Sequence, residues 1–130
     1  MAQQIATLTL VVADYDPAIA WFTEKLGFAL LSDTDLGDGK RWVVVGPKDG
    51  NGARLLLARA TDDAQRARIG DQTGGRVFLF LETDDFARDY AAMQARGVRF
   101  LEAPRHEPYA SVAVFEDFCG NRWDLLQPKG

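Results

Sequence analysis

This chain states one pattern twice, and the repetition limits the folds open to it. Residues 7–28 read TLTLVVADYDPAIAWFTEKLGF, and residues 78–100 read FLFLETDDFARDYAAMQARGVRF. Each begins with an apolar strand-like run, passes through acidic residues into an amphipathic stretch, and stops at glycine, Gly27 or Gly97. The offset is 71 residues at the strand (Thr7 to Phe78) and 70 at the glycine. A second pair follows, GNGARLLL from Gly50 and GNRWDLL from Gly120. A duplication at this period in a short chain implies one domain built from two similar modules.

The 130 residues suffice for a single domain with a sizeable core. A formal net charge of -4 argues against a nucleic-acid binder, which needs a basic face. Arg59, Arg66 and Arg68 cluster, but Asp62, Asp63 and Asp71 are interspersed among them, as on a solvated helix face. No stretch of 18 apolar residues predicts a membrane span, and the N-terminus has no basic leader before an apolar core. Cys119 is the single cysteine, so a disulfide framework within one chain is excluded. A cytoplasmic protein is the expectation.

The first strand is expected over residues 5–12, where polar and apolar residues alternate. Asp16 followed by Pro17 reads as a helix start, with a side-chain acceptor before a residue of pre-set φ. Ile19, Phe22 and Leu26 then recur at helical spacing up to Gly27. Further strands are expected at residues 28–32, 41–45 and 54–58, with a polar turn region over 33–40 and a short helix over 61–69. The second module repeats this plan: a strand over 77–82, a helix capped by Asp84 or Asp85 with Tyr90 and Met93 on its buried side, and strands at 98–102, 111–115 and 121–126. His106 falls in a connecting loop between Pro104 and Pro108. The fold class is therefore α+β, with βαβββ modules at about 1–60 and 75–130 and a linker at about 61–74. One such unit leaves a sheet face open, so pairing two of them is the natural way to cover it.

The segments LTLVVADYDPAIAWFTEKLGF, FLFLETDDFARDYAAMQARGVRF and VAVFEDFCGNRWDLLQP resemble the vicinal oxygen chelate superfamily, which includes glyoxalase I, bleomycin resistance proteins and extradiol dioxygenases. The resemblance implies paired modules in a cup-shaped, incompletely closed sheet, a homodimer, and a site inside each cup. It also implies four metal-ligand positions, usually histidine or glutamate, which by register fall on Thr7, Leu56, Phe78 and Asp124. Leucine and phenylalanine cannot ligate a metal, and threonine is a poor neutral donor. A metal would need an unusual set such as Asp124, Glu82 and His106.

A cavity lined by Thr7, Leu56, Phe78 and Phe80 is apolar with a few polar handles, which suits an organic molecule better than a hydrated ion. Arg54 and Asp124 would orient the ligand, and Trp42 and Tyr109 could offer rings to it. The alternative for Asp124 is an ion pair with Arg54 or Arg122, and for Tyr109 simple packing of a loop on the sheet. Trp123 should face away from Asp124, because strand neighbours point to opposite sides. Cys119 has no adjacent base to activate it.

Two functional classes follow. The first is a metal-free protein binding a small organic molecule, with no cofactor and no nucleic-acid or membrane partner. The second is a lyase, isomerase or dioxygenase with a rebuilt divalent-metal site or acid–base chemistry, in which Asp124 and His106 are the catalytic candidates. A cavity-less interaction subunit, with Phe78 and Phe80 filling the cup, is a third reading.

Overall fold

Strand β1 (Thr7–Val12) buries Leu10 and Val12 while Thr7 and Thr9 point the other way, the two-residue alternation of a half-covered strand. The computed structural model describes residues 2–129. It divides into two compact units at the Ile69–Gly70 boundary, and each contains its own sheet.

In the first unit, α1 (Tyr15–Ala20) is capped by Asp14, whose carboxylate accepts the Tyr15 N–H at 2.8 Å. The expected cap, Asp16, instead lies in the first turn and ion-pairs with Arg41 at 2.9 Å. Pro17 does not oppose the earlier start, because first-turn N–H groups have no intrahelical acceptor to lose. The helix continues as a π-helical turn, Trp21–Lys25, marked by the Leu26 N–H reaching back to the Trp21 carbonyl. Gly27 ends it at φ 82°.

Strand β2 (Ala29–Gly37) is longer than expected and runs through the region read as a polar turn. It forms a hairpin with β3 (Lys40–Gly46), turning on Asp38 and Gly39, both at positive φ. That is the two-residue turn that Asp-Gly favours. The polar strand is held partly by Arg41, which clamps Asp33 through two hydrogen bonds. Strand β4 (Arg54–Arg59) completes the sheet in the order β1-β4-β3-β2, pairing parallel with β1. Leu10, Phe22, Val43, Val45 and Leu57 form the core between helix and sheet. Each such side chain contributes about 1.5–3 kcal/mol on leaving water. The expected helix over 61–69 is one turn, α2 (Asp63–Arg66), capped by Asp62.

In the second unit, β5 (Val77–Glu82) leads to α3 (Phe86–Ala95). Asp85 caps it through the Arg88 N–H, and Asp84 ion-pairs with Arg88. Met93 is buried as expected, while Tyr90 is half-buried with its ring 4.5 Å from that of Phe100. The strand expected over 98–102 is only β6 (Arg99–Phe100). A further two-residue strand, β7 (Arg105–His106), pairs with β8 (Ala110–Glu116), so His106 lies in the sheet rather than in a loop. Strand β9 (Arg122–Pro128) lies between β8 and β5 and pairs parallel with β5. Phe115, Trp123 and Leu125 form the core under α3.

The Asp-x-x-Gly-Asn segment is the turn that joins β8 to β9. The Asp117 carboxylate, 3 % exposed, accepts from the backbone of Cys119 and Asn121, from the Asn121 amide and from the Trp123 indole, all at 3.0–3.1 Å. Gly120 supplies the positive φ of 100°. This turn anchors Trp123 toward the core and thereby fixes which side of β9 Asp124 takes.

Candidate functional site

Each sheet has one face covered by its helix, and the opposite face carries the site residues. On the first unit's open face, Thr7 is the register partner of Arg54, and Leu56 is paired with Thr9 and Val44. Trp42 lies two residues before Val44 and is 44 % exposed. The sheet thus gathers four of the expected ligand-contact residues, Thr7, Trp42, Arg54 and Leu56, on one surface.

The second unit's open face holds a half-open cavity of about 330 Å³. Its floor is Asp124, Leu126 and Val112; Phe80, Arg105 and Tyr109 stand around it. Phe80 lies opposite Asp124 across the parallel β5–β9 pair, and Val114 lies opposite it on β8. A bulge in β5 between Val77 and Leu79 sets this register, so Phe78 sits at the irregularity and Phe80 at the pocket. Phe80 and Tyr109 are 63 % and 65 % exposed, an unusual investment of aromatic surface beside a cavity.

Asp124 is the chemical centre of this pocket. The alternative ion pair with Arg122 is not formed within this unit: among the described residues the buried Oδ1 of Asp124 has no hydrogen-bond partner. Burial pushes its carboxyl above the ordinary range; the positive charge of Arg105 opposes this shift and the negative charge of Glu102 adds to it. Arg105 is already engaged. Its Nε and Nη2 donate to the two oxygens of Glu102 at 2.9 and 3.2 Å, and its Nη1 reaches Glu107 at 3.5 Å. Glu102 also accepts the Val114 N–H at 3.0 Å. The Arg105 contact holds Glu102 below the usual carboxylate range, with burial opposing and the Val114 N–H assisting.

The other candidates sit elsewhere. His106 is exposed, bonds Ser111 Oγ through Nδ1 at 2.9 Å, and meets the Phe86 ring of α3 edge-on. That is the helix side of the sheet, whereas the neighbouring Arg105 faces the pocket, so Asp124 and His106 are not brought together. Trp123 is 2 % exposed and lies on the core side of β9. Burial, assisted by the charge of Asp117, pushes the Cys119 thiol up to about 12.

The four positions implied as metal ligands hold a hydroxyl, two hydrocarbons and one carboxylate, a donor set that does not fit a divalent ion. Among the described residues no group of three His, Cys, Asp or Glu could hold one. Sequence reasoning named Asp124, Phe80 and Tyr109 but missed Arg105 and Glu102. Their signal was present in the alternating charges of Glu102, Arg105 and Glu107, but only the pairing of β7 with β8 turns Arg105 toward Asp124.

Two mixed sheets with few helices, built on repeated strand–helix–strand units, define the α+β architecture of glyoxalase-like proteins. The model of the Glyoxalase/Bleomycin resistance protein/Dioxygenase superfamily matches residues 4–125, and the chain belongs to that family. An uncharacterised protein of Shewanella frigidimarina (strain NCIMB 400) is 55 % identical over 128 residues, covering 98 % of this chain and 95 % of that protein. The crystal structure of UcmS2 superposes with a TM-score of 0.83 at 30 % identity, covering 97 % of this chain and 98 % of UcmS2. TnmS3, an antibiotic binding protein from Streptomyces sp. CB03234, gives a TM-score of 0.71 at 30 % identity, covering 99 % of this chain and 98 % of TnmS3. Among the described residues no helix is long and apolar enough to cross a membrane.

Proposed function

We propose that this protein binds a small organic molecule in the pocket over Asp124, without a metal ion or other cofactor. The observation that carries the reading is the pairing of a largely apolar cavity with one buried, unpartnered carboxylate oxygen. Buried polar atoms are nearly always hydrogen-bonded, and one left open in a ligand-sized cavity is a fitting place for a ligand's donor. The exposed Phe80 and Tyr109 rings supply flat apolar surface for the ligand body. The likeness to an antibiotic binding protein supports the same class of activity. The reading includes a homodimer, as the family resemblance implies, and a cytoplasmic location.

The test is a ligand screen by thermal shift on chelator-treated protein, using a panel of planar aromatic compounds with and without donor groups. Several should raise the melting temperature in the absence of metal. The pocket-filling variant Leu126→Trp should abolish those shifts. Stabilisation that appears only after a divalent ion is restored, or that persists unchanged in Leu126→Trp, would overturn the assignment.

A further inference from the structure

The charge arrangement around the pocket goes a step beyond ligand binding and rests on it. Asp124 has a guanidinium nearby, yet Oδ1 is unpartnered. The reason lies in Glu102 and Glu107. Glu102 takes Arg105 in a two-pronged contact, Glu107 takes the remaining nitrogen, and the Val114 N–H fixes Glu102 in place. A guanidinium held in such a fork has three of its five N–H donors turned to Glu102 and Glu107 and is fixed away from Oδ1. The two glutamates together outweigh the one positive charge, so Asp124 is not neutralised by its surroundings.

We propose that the pocket recognises a ligand carrying a protonated nitrogen on a flat apolar body, with Asp124 as the counter-ion and Glu102 as the residue that keeps Arg105 from taking that role. An ammonium supplies the hydrogen-bond donor that Oδ1 lacks and the positive charge that the cluster lacks. A carboxylate or phosphate ligand would meet Asp124 head-on, since the charge of the arginine that could receive it is already matched by Glu102 and Glu107. The aromatic rings of Phe80 and Tyr109 add cation–π attraction at the rim. Glu102 is thus a positioning residue: it acts on the ligand through Arg105, and its loss frees the guanidinium to swing onto Asp124.

Three probes with one ring system separate the possibilities: 2-naphthylmethylammonium, 2-naphthylmethanol and 2-naphthoate. Their affinities are measured by titration calorimetry at pH 7.5 on the full chain, on Asp124→Asn and on Glu102→Gln. The ammonium should bind at least about tenfold tighter than the alcohol, and the naphthoate weakest, the ordering expected of a charge-assisted contact in a partly dry site. Asp124→Asn should erase the difference between ammonium and alcohol while retaining the alcohol, which also reports that the variant is folded. Glu102→Gln keeps an acceptor for the Val114 N–H but loosens Arg105, so it should weaken the ammonium and leave the alcohol unchanged. Equal binding of all three probes to the native chain, or a preference that survives Asp124→Asn, overturns the charge inference alone. Failure of every probe to bind overturns the pocket-binding reading with it.

Discussion

Replacing Asp124 by asparagine should make the protein more stable at neutral pH, and the size of the gain follows from the surroundings of one carboxylate. The substitution preserves shape and removes charge. The amide leaves a polar atom in the same place, so what the substitution relieves is the burial of charge, and a buried group without a partner costs about 1–3 kcal/mol, more when it is charged. Here one oxygen is covered while the residue is only half-buried, and the charge of Arg105 offsets part of the cost of burial, so the lower end applies, about 1 kcal/mol. The pH dependence fixes the sign. The folded-state carboxyl titrates above the ordinary aspartate range because burial disfavours its charged form. Relative to the unfolded chain, Asp124 therefore carries no penalty when both states are protonated, below that range, and a growing penalty as pH rises through the folded-state value. Urea unfolding at pH 7.5 and pH 3.5 is the assay. With a slope of about 2 kcal/mol per molar, the Asp124→Asn midpoint should rise by about 0.5 M at pH 7.5 and be nearly unchanged at pH 3.5. A variant that is less stable at pH 7.5, or that gains equally at both pH values, would refute the reasoning and make Asp124 a structural residue. The expected outcome is a carboxylate kept at a cost in stability, as at binding sites elsewhere.

Two more expectations concern the framework. Gly70 has φ of 75°, and a Cβ there would stand 2.2 Å from the Cys119 carbonyl oxygen, whereas Gly74, at φ 67°, has nothing within 4 Å. Gly70→Ala should cost about 3 kcal/mol and Gly74→Ala about 1 kcal/mol in urea unfolding, and equal losses would mean that the close approach is absent. The Cys119 thiol, pushed up to about 12, should react with a disulfide reagent at pH 8 more than about tenfold slower than free cysteine; a rate equal to free cysteine would refute its burial.

The amino-acid sequence by itself determined what depends on neighbours a few residues apart. The alternation of Trp123 with Asp124 is such a local pattern, and so are the two glycine stops at positive φ, whereas the duplication is legible because two local patterns recur about 70 residues apart. The Asp38-Gly39 turn is local too, but in the sequence it reads only as part of a polar turn region over 33–40, because the acidic residues before it mask a strand that is stabilised across the ladder by Arg41. The cap on Asp14 is equally local, but several acidic residues compete near that helix start and only the backbone conformation chooses among them.

The tertiary structure alone decided the site. Phe80, Arg105 and Asp124 come from three strands, and what brings them together is register. A single bulge in β5 puts Phe80 rather than Leu79 opposite Asp124, and a two-residue strand turns Arg105 inward and His106 outward. Side chains alternate with a period of two, so a shift of one residue moves every group to the other face. No local pattern specifies that shift. It is set by pairing between segments distant in the chain, and with it the unshared carboxylate on which the proposed recognition depends.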